Sequence, residues 1–404
     1  MSTASEPHYR QPLLRTPFHD CSRAWSQVDS FVPWAGYTTV DVYTTVEQEY
    51  FAIRNASSLY DITPMVKYRV AGTDARAYLD RLVTRDVGKL APGKVAYTVW
   101  CDDAGHILDD GTVFCLAPGE YRICTAERQL DWLLASAIGF DVAVEEVTAE
   151  IAALAVQGPL SARLLRLAGV TGFERLKPFE HGEFPMSAGG RAVTLMVSRT
   201  GFTGDLGYEL WLAPQDATAV WDALLAVGRT RGVRPIGSRA LNMARIEAGF
   251  LLPNLDFVSA AHTLHLGTER TPLELGLAWL VDFGKGHFTG RRALLAQRER
   301  GIRCQLVGLD VEGLKPAHNA LLYADAAGRR EVGSVTSATW SPTCKRNLAL
   351  AIIDSPHYAQ GSTVWADIYL NRELVWQRRM VRARVVERPF FAPARRRATP
   401  PGDY

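Results

Sequence analysis

The stretch GFTGDLGYELWL, residues 201–212, carries the clearest structural pattern in the chain. Its first half repeats glycine every third residue, which is typical of a tight turn because glycine adopts backbone angles that other residues avoid. Its second half, YELWL, predicts a strand whose side chains alternate between two faces. Glu209 and Trp211 share one face of this strand. The opposite face carries three apolar side chains, those of Tyr208, Leu210 and Leu212.

A carboxylate beside an indole on such a strand has two interpretations. Glu209 could accept two parallel N–H bonds from the edge of a flat heterocycle while aromatic groups such as Trp211 cover its ring. Alternatively, Glu209 is a solvent-facing residue on an ordinary antiparallel hairpin. The strand by itself leaves both interpretations open.

Length and composition limit the classes of protein to which the chain can belong. With 404 residues, two or three domains are expected. The chain is 47% hydrophobic and 22% charged, which is typical of a soluble globular protein. A net charge of +2 provides no field that would attract nucleic acid or an anionic membrane, so neither is expected as a partner. No run of 18 apolar residues predicts a membrane span.

The cysteine spacing indicates whether disulfides or a metal site are expected, and the N-terminal sequence indicates the cellular location. The six cysteines are scattered and form no CxxC pair, so neither a disulfide framework nor a cysteine metal site is expected. The first thirty residues contain no apolar signal segment, and the expected location is the cytoplasm. A soluble organelle remains an alternative.

The chain divides into strand-helix sets followed by a strand-rich region. Two sets with similar α+β patterns run from about residue 60 to 250. GRRALLAQRERG, residues 290–301, predicts a short connecting helix, and residues 302–386 predict a separate β domain. The C-terminal PARRRATPPGDY is polar and proline-rich, and is expected to be loose.

Two further groups of acidic and histidine residues deserve separate interpretations. GHILDDGTV places Asp109 and Asp110 at the start of a strand, where alternation lets at most one of them face a given pocket. A carboxylate there could stabilise developing positive charge, or the pair could lie in a surface turn. His262, His265 and Glu269 lack the spacing of a zinc motif, so no metal site is predicted.

Seven segments in order resemble the glycine cleavage T-protein (aminomethyltransferase) family and its folate-dependent demethylase relatives. The resemblance runs from about residue 59 to 354 and includes AGHILDDGTVF, SRTGFTGDLGYELWL and LNMARIEAG. The remaining segments are LYDITPMVKYRVAGTDARAYLDRLVTRDVGKLAPGKVAYT, LAVQGP, TPLELGLAWLVDFGKGHFTGRRALL and VGSVTSATWSPTCKRNLALAIID. Each segment is weakly specific alone, and their conserved order makes the resemblance specific.

The resemblance implies an α+β fold of three domains around a central folate channel, with a C-terminal β-barrel-like domain. The implied domains are 1–60 with 150–255 (folate-binding), 61–149 with 256–300, and 301–404 with the loose tail. Tetrahydrofolate is the implied carbon acceptor. In this chain Glu209 would accept the pterin N–H groups, and Tyr97, Phe202 and Trp211 would contribute to the same site. Asp109 matches the family's catalytic carboxylate.

Departures from the family pattern fall mainly outside the Asp109 and Glu209 motifs. DITPM at 61–65 stands where T-proteins usually read DVSHM, and Leu241 and Asn242 replace an Arg-Asp pair. LLPNLDF, residues 251–257, replaces a usual Tyr-Gly segment. Folate binding is therefore expected to be retained, while the donor site is expected to differ.

These features predict a tetrahydrofolate-dependent transferase that moves a methyl or methylene group from a small methylated donor to N5. The alternative enzyme is a true T-protein, whose partner is a lipoyl carrier protein bearing an aminomethyl group. A further alternative is a folate-binding regulatory or assembly protein without catalytic activity.

Overall fold

The computed structural model describes residues 13–265, 267–313 and 315–402. In this part of the chain the strands form three open sheets and one closed barrel. The smallest sheet has the order β1-β3-β2 and lies near the N-terminus. Its strands are β1 (Leu14–Arg15), β2 (Ser30–Trp34) and β3 (Tyr37–Val42).

The largest open sheet contains the strand predicted from YELWL. Its order is β11-β12-β13-β10-β4-β14, and all its neighbours are antiparallel except β14 and β4. The strands are β4 (Ser58–Asp61), β10 (Ala152–Gln157), β11 (His181–Ala188), β12 (Arg191–Ser198), β13 (Gly207–Leu212) and β14 (Arg234–Pro235).

A second open sheet carries the two adjacent aspartates. It is antiparallel, with the order β6-β7-β8-β5-β9. Its strands are β5 (Val66–Ala71), β6 (Val95–Cys101), β7 (Ile107–Ala117), β8 (Glu120–Thr125) and β9 (Ala143–Glu146).

The strand-rich C-terminal region closes into a six-stranded barrel, in the order β15-β18-β17-β16-β19-β20. Its strands are β15 (Cys304–Val311), β16 (Leu321–Tyr323), β17 (Glu331–Ser341), β18 (Arg346–Asp354), β19 (Thr363–Arg372) and β20 (Val375–Val386). Small and β-branched residues fill its interior, among them Ala349, Ala351 and Val364.

Helices pack on both faces of the largest sheet. The described part of the chain contains the helices α1 (His19–Trp25), α2 (Val46–Asn55), α3 (Ala75–Leu82), α4 (Leu130–Ser136), α5 (Ser161–Leu167), α6 (Ala217–Gly228), α7 (Ser238–Glu247) and α8 (Arg291–Arg300). Helices α5 and α6 lie on one face of the largest sheet, and α2 and α7 lie on the other. The predicted connecting helix is α8. Among the described residues, no helix combines the length and apolarity that crossing a bilayer requires.

Side-chain alternation on β13 determines how the largest sheet is covered. Tyr208, Leu210 and Leu212 lie in one hydrophobic cluster with the buried face of α6, including Trp221 and Leu224. Burying large apolar side chains of this kind stabilises the fold by about 1.5–3 kcal/mol each. The other face of the strand is therefore free to face the rest of the molecule.

A buried charge network joins α2, α7 and the barrel. Arg54 donates from Nε to Glu247 at 2.8 Å. The same carboxylate accepts hydrogen bonds from Tyr50 and from Ser341 of β17, both at 2.5 Å. Removing one partner of such a buried ion pair typically costs about 3–5 kcal/mol. The network therefore holds α2 and α7 against the barrel.

The C-terminal tail differs from the loose segment expected from its composition. Arg395 makes a bidentate ion pair with the buried Asp205, with N–O distances of 2.7 and 2.8 Å. Arg199 donates to the backbone carbonyls of Arg396 and Ala398. Bidentate pairs of this type are strong and geometrically selective. These bonds hold the tail against the turn that precedes β13.

Candidate functional site

A cavity of about 1410 Å³ lies where the two large sheets, the barrel and the tail meet. Its wall contains side chains from β13 and β10, from β6 and β7, from α7 and from the barrel strands β15 and β20. The tail contributes Pro389, Ala392 and Arg396. The cavity is large enough for a multi-ring ligand.

Glu209 faces this cavity from the centre of the largest sheet. It lies between Ala155 of β10 and Ser198 of β12 in the strand register. Its carboxylate accepts hydrogen bonds from Thr200 at 2.5 Å and from Ser198 at 3.5 Å. Burial raises the pKa of Glu209 to about 7, since these two hydroxyl donors offset the desolvation only in part.

Close packing explains Gly201 in the turn before β13 and Gly207, the first residue of that strand. The Gln157 side chain donates to the carbonyls of Thr200 and Tyr208 at 3.2 Å each, and so lies between the turn and the strand. A Cβ at Gly201 or Gly207 would come within 2.0 or 2.2 Å of its Oε1. A larger residue at either position would displace the Gln157 side chain and break its hydrogen bonds to the turn and the strand.

The predicted aromatic residues divide between the cavity wall and the layer behind it. Phe202 lines the cavity and stacks on Phe250, with centroids 5.5 Å apart and ring planes at 21°. Trp211 does not reach the cavity. Its Nε1 donates to Ser198 at 3.0 Å and its ring meets the edge of Phe114. Trp211 therefore supports the hydroxyl group that contacts Glu209.

Tyr97 and Asp110 form a hydrogen-bonded pair on the wall contributed by the second sheet. The Tyr97 hydroxyl donates to Asp110 Oδ2 at 2.5 Å, and both residues line the cavity. Burial raises the pKa of Asp110 to about 6, and the hydrogen bond from Tyr97 opposes this shift. A ligand in the cavity can therefore contact the Asp110 carboxyl group of the second sheet.

Asp109, the predicted catalytic residue, lies on the opposite face of β7. It is 1% exposed and accepts hydrogen bonds from the Asp110 amide at 2.8 Å and from Gln129 Nε2 at 3.1 Å. Burial, together with the neighbouring Asp110 charge, raises its pKa well above the ordinary value. Alternation along the strand thus brings Asp110, and not Asp109, to the cavity. A catalytic role for Asp109 stays a prediction.

Sequence reasoning missed an aromatic pair on the cavity wall. Trp34 and Tyr60 stack with centroids 6.3 Å apart and ring planes at 23°. Trp34 precedes the segments that carry the family resemblance, and Tyr60 lies in the first of them. The apolar wall beside the pair includes Ile62, Met65 and Leu241, all at or next to departures from the family pattern. Trp34 and Tyr60 lie on separate strands and meet only in the fold, so no local sequence pattern indicated the pair.

The histidine-rich stretch is placed away from this cavity. Neither His262 nor His265 lines it. Within residues 13–265, 267–313 and 315–402, no group of three or more His, Cys, Asp or Glu side chains is positioned to hold a metal ion.

Comparison with a solved structure confirms the predicted three-domain α+β architecture with a C-terminal barrel. The glycine cleavage system aminomethyltransferase T from Bartonella henselae superposes with a TM-score of 0.80 at 25% sequence identity. The superposition covers 94% of this chain and 98% of that protein.

Sequence comparison gives the same relationship over nearly the whole chain. An aminomethyltransferase from Caldanaerobacter subterraneus is 31% identical over 94% of this chain and 96% of its own length. One from Bacillus pumilus is 32% identical over 95% and 100%. Residues 20–285 match the GCVT N-terminal domain, and residues 305–392 match the glycine cleavage T-protein C-terminal barrel domain. The chain therefore belongs to the glycine cleavage T-protein family, as its sequence predicted.

Proposed function

We propose that this protein is an enzyme that transfers a one-carbon unit to N5 of tetrahydrofolate, with the pterin ring held by Glu209. The observation that carries the proposal is that the Glu209 carboxylate faces a large cavity. Among the described residues, this carboxylate has two hydrogen-bond partners, and both are hydroxyl groups. A half-buried carboxylate with so few donors is stabilised when a ligand supplies more of them. The amino and ring N–H groups of a pterin supply them in parallel.

The cavity also contains the surfaces that a pterin ring and its extension require. Phe202 and Phe250 present stacked rings to the same cavity as Glu209, and Arg396 Cζ lies 5.2 Å from the Phe250 centroid. Apolar rings exclude water from a heterocycle and strengthen the hydrogen bonds at its edge. The predicted contribution of Trp211 is indirect, through the Ser198 hydroxyl.

The Asp109–Asp110 pair would serve the transfer step. Bound tetrahydrofolate supplies the nucleophilic nitrogen, so the protein contributes orientation and electrostatic stabilisation. Asp110, oriented by Tyr97, would stabilise positive charge that develops on the transferred carbon. Asp109 would position Asp110 without contacting the ligand, because its carboxylate accepts a hydrogen bond from the Asp110 backbone amide.

Relatives named aminomethyltransferase favour an aminomethyl group on a lipoyl carrier protein as the donor. The small methylated donor first expected from the sequence remains a second candidate, and one observation favours it. The cavity wall is apolar at Ile62, Met65 and Leu241, where few side-chain groups could bond an amine. A folate-binding protein without catalysis would not need the Tyr97–Asp110 pair.

The first prediction concerns Glu209 and pH. With a pKa of about 7, the Glu209 carboxyl is roughly one-tenth ionised at pH 6 and nine-tenths at pH 8. Because the ionised form accepts the pterin N–H groups, tetrahydrofolate should bind about tenfold more tightly at pH 8. Glu209→Gln should remove the pH dependence and weaken binding by about 10- to 100-fold. Anaerobic calorimetric titration measures both effects.

Glu183→Gln, at an exposed position of β11, is the matched control and should bind like the parent protein. Equal affinities at the two pH values, or tight binding by Glu209→Gln, would contradict the assignment of Glu209.

The second prediction separates the two aspartates. Asp110→Asn should lower the single-turnover rate at saturating tetrahydrofolate by about 100-fold or more, since it removes charge from the cavity wall. Asp109→Asn should lower that rate less than about tenfold, because burial already favours the neutral form of Asp109. The reverse ranking would return the catalytic role to Asp109. Unchanged turnover in both variants would support the non-catalytic alternative.

The third prediction identifies the donor. With an aminomethyl-loaded lipoyl carrier protein, the enzyme should release ammonia and form 5,10-methylene-tetrahydrofolate. Methylated amines, sulfonium compounds and aryl methyl ethers are assayed in parallel for 5-methyl-tetrahydrofolate. Product from a methylated compound and none from the carrier would reject the aminomethyl donor. The absence of product from every donor would contradict one-carbon transfer altogether.

A further inference from the structure

The last two barrel strands extend beyond the barrel as a two-stranded ribbon. Among the described strands, β19 pairs with β16 at residues 365–366, and β20 pairs with β15 at residues 383–386. Beyond these positions β19 and β20 pair with each other, up to Arg372 and Val375. From Tyr369 outward most described side chains are exposed, over about 10 Å of ribbon before the turn.

Apolar side chains occupy the end of this ribbon. Leu374 is 94% exposed, and Val375 and Trp376 are each more than half exposed. Glu373 and Leu374 form the two-residue turn with φ angles of 50° and 67°, a left-handed conformation that glycine and asparagine adopt at lower cost. A leucine at this position costs free energy both as backbone strain and as exposed apolar surface. A surface that covers the leucine offsets the second cost.

Positive charge is concentrated next to the apolar end. Residues 372–384 contain five arginines and one glutamate, although the whole chain has a net charge of only +2. Lys315 donates to the Tyr369 carbonyl, and its ammonium group lies 5.8 Å from the Trp376 ring centroid. This local excess of positive charge is complementary to an anionic surface.

The apolar and basic side chains lie on both faces of the ribbon. Val375 and Trp376 are neighbours on β20, so their side chains point to opposite faces, and the same holds for Arg378 and Arg379. Arg378 pairs with Asp367 at 2.9 Å, and Arg379 is exposed. A partner docked flat on one face would contact only half of these groups. A planar surface that meets the ribbon end-on contacts groups of both faces.

We propose that the end of the ribbon, residues 369–379, inserts into the surface of an anionic phospholipid bilayer. Leu374, Val375 and Trp376 enter the boundary between headgroups and acyl chains, and the basic side chains behind them meet the anionic headgroups. Tryptophan is enriched at this boundary in membrane proteins. A second copy of the chain is a poorer occupant, because it would bring like charges together.

The ribbon end lies far from the cavity. Val385 and Val386 line the cavity at one end of β20, and Val375 begins this strand at the other end, more than about 30 Å away along its length. The inference therefore goes beyond the transfer reaction and adds a membrane surface as a binding partner. Binding to a bilayer is expected to be independent of tetrahydrofolate and of Glu209.

Sedimentation with phospholipid vesicles tests the proposal. Vesicles of phosphatidylcholine with about 30% phosphatidylglycerol should bind at least about tenfold more protein than vesicles of phosphatidylcholine alone. Leu374→Asp should lower this binding about tenfold or more, because it places a charge in the inserted end. Arg379→Gln should lower it about fivefold, and about 0.5 M salt should weaken it. Ile138→Asp is the matched control, since Ile138 is 82% exposed and lies outside the ribbon.

Thermal unfolding separates loss of the membrane contact from loss of the fold. Leu374→Gly relieves the strain of the turn, so this variant should unfold at the temperature of the parent protein or higher, yet bind vesicles weakly. Leu374→Asp should also keep the midpoint of the parent protein, because the exposed leucine side chain has little packing to lose.

Three results would overturn the inference. They are equal binding to the two kinds of vesicle, a Leu374→Asp variant that binds like Ile138→Asp, and a dimer in solution that Leu374→Asp dissociates. Tetrahydrofolate binding is measured separately, on protein without vesicles. If it does not depend on Glu209, the proposed function fails and the membrane contact is unaffected.

Discussion

The half-buried carboxylate of Glu209 is the constraint on which the rest of the site depends. Among the described residues its hydrogen-bond partners are hydroxyl groups, and burial has moved its pKa to about 7. Desolvating a carboxylate with so few donors costs free energy, which a bound ligand offsets by donating further hydrogen bonds. The turn before β13 packs directly on Gln157 and positions the Thr200 hydroxyl that donates to Glu209. The backbone geometry of the turn therefore determines which donor the carboxylate meets.

The cavity exists because four parts of the chain are held at one place. The ion pair between Arg54 and Glu247 joins α2 to α7, and Ser341 joins the same carboxylate to the barrel. The ion pair between Arg395 and Asp205 joins the tail to the turn before β13. The carboxylates of Glu247 and Asp205 are both buried, so loss of a partner from either would leave a poorly compensated buried charge at a cost of several kcal/mol. These contacts therefore hold the barrel and the tail beside the largest sheet, where both contribute to the cavity wall.

Local sequence patterns predicted the face to which each side chain on a strand points. They did not predict how the strands and the tail pack against other parts of the chain. Alternation put Glu209 on the face opposite Leu210, and it stated that only one of Asp109 and Asp110 could enter a pocket. It could not say which one, because the choice depends on how β7 packs. Trp211 shares the Glu209 face but is covered by Phe114 from the second sheet. The tail was expected to be loose because its partner, Asp205, lies 190 residues away.

The account's central claim is that Glu209 holds the pterin ring while Asp110 faces the reacting carbon. A crystal structure of the tetrahydrofolate complex tests it most directly. The account predicts that the pterin amino and ring N–H groups donate to the two Glu209 carboxylate oxygens, with N5 directed toward the Tyr97–Asp110 pair. A pterin ring bound elsewhere in the cavity, with Glu209 in contact only with water, would contradict it.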